Sequence, residues 1–374
     1  MSPSLRVLVD ATMLDGGPSG AGTRLRALGA AHAARGQVEV LHLVRPGCDP
    51  LPGLACLPLP SADTPLRRAR AGPRLDALLA GLRAAVLQAG ALPLPRVRAA
   101  PLVLTLHDLR FLRDDAPPLR RMWARAALPR NLARAAHVVA VSRATADELA
   151  ARDLVEPFRL TVVPNAGTPG LPREVPPDAL AALRRRLGLN TRYVLSVGPV
   201  APHKRPGALL AALAAARARP GGGDLALLLA GRADAQAAES VARRARELGV
   251  LEAVRVPGPL APDELAAALA GADALVVASR VEGFSIPVVD AQSQGVPVVA
   301  VAAGALPEVV GDGGWLVPPD DAAAFGAALL AAVTPGELRA ARLSAGRAAA
   351  ARWSWDASAA RLEALWRSLS PQGG

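Results

Sequence analysis

The sequence predicts an α/β protein built from parallel-sheet units in two domains, and three observations predict it. Short apolar runs alternate with helical patterns along the chain, as they must where parallel strands are joined by helical crossovers. A length of 374 residues allows about two domains with cores of their own. A connection rich in Pro, Gly and Arg, roughly 164–177, divides the strand-bearing stretches into two sets.

In the first set, apolar runs place strands at 5–10, 37–44, 101–106, 137–141 and 159–163; in the second, at 193–198, 224–230, 253–256, 274–278 and 297–301. Domains are expected over 1–170 and 171–352. The tail Arg352-Trp-Ser-Trp355 then leads into a helical pattern over Ala357–Leu369. Aromatic residues make up 3%, so the cores are aliphatic. Tyr193 is the one tyrosine, which leaves few stacking platforms for nucleic acid. Cys48 and Cys56 match no metal-ligand spacing and point to a reducing compartment. Leu5-Arg-Val-Leu-Val-Asp10 opens the chain as a strand, without a charged-then-apolar leader. The nearest approach to a membrane span, Leu75–Pro95, contains Asp76 and Arg83. A cytoplasmic protein is expected, free or associated with the cytoplasmic face of a membrane.

The formal charge is +11. Arg67, Arg68, Arg70 and Arg74 form one basic cluster. Arg120, Arg121 and Arg125 surround Trp123 in another, a pattern shared by solvated helix faces and by helices that lie on anionic membranes. No nucleic-acid reading motif accompanies the charge. Lys and Arg together number 43, yet Lys204 is the one lysine. That excludes a P-loop, which needs G-x-x-x-x-G-K-[ST]. The cluster Gly16-Gly-Pro-Ser-Gly-Ala-Gly22 lacks the third glycine of the dinucleotide fingerprint. No D-x-D triplet occurs, and no metal site is expected.

The most informative stretch runs from Asp273 to Pro318. The strand Ala274-Leu-Val-Val-Ala278 is followed by Glu282-Gly-Phe-Ser-Ile-Pro-Val-Val-Asp290, where Pro287 suits the first turn of a helix. The N–H groups of Gly283, Phe284 and Ser285 would gather at that N-terminus, a seat for anionic or hydroxyl-rich ligands. Glu282 before the helix and Asp290 about one turn into it accept from sugar or ribose hydroxyls. Lys204 ends Val197-Gly-Pro-Val-Ala-Pro-His-Lys204, directly after the strand Tyr193-Val-Leu-Ser-Val197. Ligands of open α/β sheets bind outside such strand ends, and a compact cation there suits a departing diphosphate.

This block resembles the E-x7-E signature of the family 4 retaining glycosyltransferases, which have the GT-B fold: two Rossmann-like domains facing a central cleft. The likeness extends through Gly295-Val-Pro-Val-Val299, Gly304-Ala-Leu-Pro-Glu308 and Gly314-Trp-Leu-Val-Pro318. It implies Glu282 beside the donor sugar and Asp290 on the nucleotide ribose, with Asp one methylene shorter than the usual Glu. The family's G-R-x-x-x-x-K grips the diphosphate; Gly198 and Lys204 match it, whereas Pro199 replaces the arginine, a loss that Arg205 could offset. The resemblance further places Gly20 and Gly22 in a turn near the diphosphate and acceptor. His107, in Leu106-His-Asp-Leu109, falls against the donor sugar. Gly231 closes a strand, with Arg232 near the phosphates, and Val256-Pro-Gly-Pro-Leu260 receives the base through its backbone, Leu260 included. Asp108 and Asn165 are read as holding turns, and a final helix over 353–372 as packing back on the N-terminal domain.

The implied activity is metal-independent transfer of a hexose, mannose-like, with retention, from a GDP- or UDP-linked donor. No cofactor is expected. The acceptor would be a glycan, a lipid-linked sugar or a small molecule. Two readings stand beside this one: a donor-binding relative that does not turn over, for which Pro199 and Asp290 speak, and a GT-B sugar-nucleotide epimerase.

Overall fold

The computed structural model describes residues 5–14, 19–48, 51–59, 65–112, 118–172 and 174–370. Gly16 and Gly17 lie outside these residues, as does the side chain of Arg120. The chain divides into two units, one of residues 1–165 with 354–374 and one of residues 166–353. The division falls at Asn165–Ala166, a little before the expected boundary at 170.

Unit 1 holds seven parallel strands: β1 (Leu5–Asp10), β2 (Val38–Val44), β3 (Cys56–Pro58), β4 (Val86–Ala89), β5 (Leu102–Leu106), β6 (His137–Ala140) and β7 (Leu160–Val162). Their order is β3-β2-β1-β4-β5-β6-β7. Its helices are α1 (Gly20–Arg35), α2 (Pro65–Arg70), α3 (Gly72–Gly81), α4 (Pro118–Leu132) and α5 (Arg143–Ala150). Successive side chains of a strand point to opposite faces, and the strands accordingly build two cores. Leu8, Leu87, Leu104 and Val138 pack with Leu75 and Leu79 of α3 and with Leu128 and Leu132 of α4. Val7, Val9, Val86, Val103 and Val139 face the other way, toward Leu28 of α1 and the C-terminal helix.

Unit 2 begins with α6 (Pro177–Leu187), followed by β8 (Tyr193–Val197), α7 (Pro206–Arg217), β9 (Ala226–Ala230), α8 (Ala235–Glu247), β10 (Val254–Gly258) and α9 (Pro262–Ala270). It continues with β11 (Ala274–Val277), α10 (Ile286–Gln294), β12 (Val298–Val301), α11 (Leu306–Val310), β13 (Trp315–Val317), α12 (Ala322–Val333) and α13 (Glu337–Ala350). Its six parallel strands run β10-β9-β8-β11-β12-β13. The order therefore reverses between β8 and β11, and in a doubly wound sheet the crevice at that reversal is where ligands bind. Both units are Rossmann-like.

The last helix, α14 (Trp355–Leu369), belongs to unit 1. Trp366 and Leu362 enter the core beside Val7 and Val86, and the Trp366 indole N–H donates to Gln88 Oε1 at 2.8 Å. Buried Glu363 meets His32 Nδ1 at 2.9 Å and accepts from Arg35 Nε at 3.1 Å.

Three strands escaped the sequence reading: β3, β4 and β13. β3 and β13 are three-residue strands at sheet edges, too short to show a pattern. β4 is hidden in the apolar run Leu75–Pro95, which is no span at all: α3 ends at Gly81 and a strand starts at Val86. Among the described residues no helix is long and apolar enough to cross a membrane.

Candidate active site

The loops after β8 and β11 flank the reversal in unit 2. Gly198 follows β8 at φ +132°, a conformation that side chains rarely adopt. After the neighbouring β9, a Cβ on Gly231 would lie 1.9 Å from the Gly198 carbonyl oxygen, so the two turns approach as only glycine permits. The chain then makes a single helical turn over Pro202–Lys204 and passes through Arg205, at φ +54°, into α7. This path folds Lys204 back over Gly198, whose added Cβ would be 3.4 Å from Lys204 Cε.

Lys204 Nζ donates to Glu282 Oε1 at 2.5 Å. The two residues expected from sequence to serve the donor are thus brought into direct contact. The pair is mostly shielded, with side-chain exposures of 26% and 11%. Glu282 is fixed from behind: its carbonyl accepts from the Ala305 N–H at 2.9 Å, and Gly304, at φ +54°, has no room for a Cβ against the Glu282 backbone. Gly283, Phe284 and Ser285 then lead into α10, with Pro287 in its first turn. Ser285 occupies the cap position at φ +86° and makes no side-chain bond to the helix, so no hydroxyl competes there for a ligand. The buried Phe284 ring stands edge-on to Trp353, 5.1 Å between centroids, so only its backbone lies open at the entry to α10.

Asp290, expected from the resemblance to contact the ribose, is hydrogen-bonded to Thr168. It is buried within α10. Its Oδ1 accepts from the Thr168 N–H and its Oδ2 from the Thr168 hydroxyl, each at 2.6 Å. Gly167 packs so closely that its Cβ would lie 2.9 Å from Asp290 Oδ1. Burial pushes the carboxyl up to about 6, against the pull of the two Thr168 bonds. Arg205, considered as a substitute for the arginine missing at Pro199, has its guanidinium on Asp320, which also binds Arg280 at 2.9 Å. Leu260 is half-buried in the loop between β10 and α9. The Arg232 carbonyl accepts from the Val200 N–H at 2.8 Å, tying the loop after β9 to that after β8.

In unit 1, His107 follows the carboxyl end of β5. Burial and the nearby charges of Arg24 and Arg110 lower it to about 3, so the imidazole is neutral at physiological pH. Gly90, after β4, would place a Cβ 3.7 Å from His107 Nε2. Asp108 accepts from the Arg110 N–H at 3.0 Å. Gly20 and Gly22 lie in the first turn of α1 and not in a turn before it, because the Ser19 hydroxyl caps the helix by accepting from the Gly22 N–H. Sequence reasoning passed over the groups at the end of β1. Buried Asp10 accepts from the Thr12 N–H and hydroxyl at 2.9 and 2.6 Å, and Arg68 Nε lies 3.8 Å from its other oxygen. It also passed over Arg24, which donates to the carbonyls of Val163 and Pro164 and to Asn165 Oδ1. Burial lowers that guanidinium to about 9, which leaves it charged.

Two Rossmann-like units, with a cation–carboxylate pair at the strand reversal of the second, define the GT-B class, and comparisons with known proteins agree. A glycosyltransferase from Rickettsia africae superposes with a TM-score of 0.78 at 14% identity, over 98% of this chain and 99% of its own. Anabaena Alr3699/HepE, solved in complex with UDP-glucose, superposes at 0.77 with 20% identity, over 98% and 100%. The family described as Glycosyltransferase Family 4 matches residues 18–166, and Glycosyl transferases group 1 matches 191–334. A D-inositol 3-phosphate glycosyltransferase from Segniliparus rotundus is 36% identical over 285 residues, 72% of this chain and 61% of the relative. The match thus spans about 61% of that relative's length. The chain belongs to the group 1, family 4 glycosyltransferases.

Proposed function

We propose that this protein transfers a hexose, with retention and without a metal ion, from a nucleoside-diphosphate donor to an acceptor hydroxyl. The observation that carries the reading is the Lys204–Glu282 pair beside the α10 N-terminus, at the strand reversal of unit 2. Within this pair the two charges neutralise each other. A diphosphate offers Lys204 a better partner, and Glu282, released, accepts hydrogen bonds from the sugar hydroxyls. The donor's C1–O bond breaks with its electron pair leaving on the diphosphate, where Lys204 and backbone N–H groups offset the new charge. The acceptor oxygen bonds C1 from the same face and gives its proton to the departing phosphate oxygen. Neutral His107 in unit 1 can both donate and accept a hydrogen bond, which suits the sugar contact that the family resemblance assigns to it.

A curated relative bears on the acceptor class. A protein named for D-inositol 3-phosphate supports a small, hydroxyl-rich acceptor, and the Anabaena structure supports a uridine-linked donor. Asp290 reaches the ribose in this reading by leaving Thr168. Thermal melting in a panel of UDP-, GDP- and ADP-sugars tests donor binding, because a ligand held by the folded state alone raises its stability by about 2.7 kcal/mol at a hundred times Kd. One nucleotide class should raise the melting temperature, and free nucleoside diphosphate should retain most of the shift. No shift with any of them would remove the proposal.

A further inference from the structure

In unit 1, α2 and α4 present a surface that carries none of the residues assigned to glycosyl transfer. Leu66, Trp123, Ala126 and Ala127 line an open, mostly apolar groove with Arg130 and Arg134 at its edge. Met122 and Trp123 follow Leu119 by three and four residues, so all three share one side of α4. Leu119 is 77% exposed, Met122 64%, Leu66 60% and Trp123 50%. These are four of the seven large apolar side chains that stand exposed among the described residues. Scattered singly they would need no explanation, but gathered on one face they mark an interaction surface.

Charge selects the partner. The segments 65–74 and 118–134 together hold nine arginines and no acidic residue. Arg68 is turned inward to Asp10, whereas Arg70, Arg74, Arg125 and Arg134 are exposed. Planar guanidinium groups bind phosphate bidentately, and an indole suits a boundary between water and hydrocarbon. Exposed Leu, Met and Trp side chains ringed by arginine are what a helix lying in a headgroup layer requires. We propose that this face of α2 and α4 docks unit 1 on an anionic lipid surface, with Leu66, Leu119, Met122 and Trp123 entering the acyl boundary and the arginines on lipid phosphates. The inference is independent of the transfer reaction.

Co-sedimentation of the full chain with vesicles of phosphatidylcholine, alone or mixed with phosphatidylglycerol, tests it. Binding is expected to the mixed vesicles and to weaken as salt screens the arginines. The double variant Leu119→Glu/Met122→Glu should lose roughly tenfold or more of that binding, the equivalent of withdrawing a buried leucine-sized side chain. Its melting temperature should not change, because both side chains already face solvent. Arg125→Glu/Arg134→Glu should weaken binding to mixed vesicles by a similar factor. Absence of binding by the parent protein would overturn the proposal. So would equal binding by the Leu119→Glu/Met122→Glu variant, which would reduce the effect to adsorption by net charge, or equal binding of the parent to neutral vesicles. Retention by an acidic peptide helix with none by vesicles would assign the face to a protein partner instead.

Discussion

Lys204→Ala is expected to lower turnover by about 10- to 100-fold, the range that follows from losing a hydrogen bond to a charged group, roughly 1.5–3 kcal/mol. The loss should fall on kcat more than on donor affinity, because charge on the diphosphate rises as the sugar leaves and Lys204 is worth most at that point. The folded state should feel the change far less. The Lys204–Glu282 pair is mostly shielded, but solvent still reaches its Lys204 end, 26% exposed against 11% for Glu282, which keeps the cost of the lost ion pair near the ~1 kcal/mol upper end for pairs open to solvent. Lys204→Arg should recover only part of the rate, since a planar fork cannot occupy the place of a compact ammonium packed over Gly198. Steady-state kinetics alongside thermal melting separates these effects. Full activity in Lys204→Ala would remove the residue from the mechanism, and a large fall in melting temperature with matching loss of activity would reassign it to structure.

Trp366→Ala carries the largest expected effect on stability. The indole is buried between β4 and α1, 4.8 Å from the His32 ring, and its N–H meets Gln88. Truncating a buried Trp leaves a cavity and costs about 3–5 kcal/mol. Here it also strands the Gln88 side-chain oxygen in the core. Because each unit has its own core, calorimetry should show the transition of unit 1 moving to lower temperature while that of unit 2 stays in place. Trp366→Phe keeps most of the volume and should cost roughly 1–2 kcal/mol, mainly the lost hydrogen bond. A small shift in Trp366→Ala, or one spread equally over both transitions, would show that α14 does not complete the core of unit 1.

The long parallel strands were legible because strands covered on both faces read as continuous apolar runs; Leu102–Leu106 and Val298–Val301 are buried throughout. Local signals also located the strand-end loops of Lys204 and Glu282. What the two residues do to each other was not legible, since 78 residues separate them. The same holds for Asp290 and Thr168, 122 residues apart, and for Arg205 and Asp320, 115 apart. Each of these long-range partners changes the state of a residue that motif spacing treats as open to a ligand. At Gly20 and Gly22 a local competitor decided the outcome: glycines read as a turn, but the Ser19 cap draws both into α1.

The proposed activity is sugar transfer from a nucleotide donor held by Lys204 and released without a metal ion. The most direct measurement follows a hexose labelled at C1 by NMR, with the nucleotide sugar selected by melting, an inositol phosphate as first acceptor, and excess EDTA. Nucleoside diphosphate should appear only with acceptor present, mole for mole with a glycoside of unchanged anomeric configuration, at an undiminished rate in EDTA. Release of nucleotide without acceptor would point to epimerase-type chemistry. An inverted anomer, or activity abolished by EDTA and restored by Mn²⁺ or Mg²⁺, would contradict retaining, metal-independent transfer.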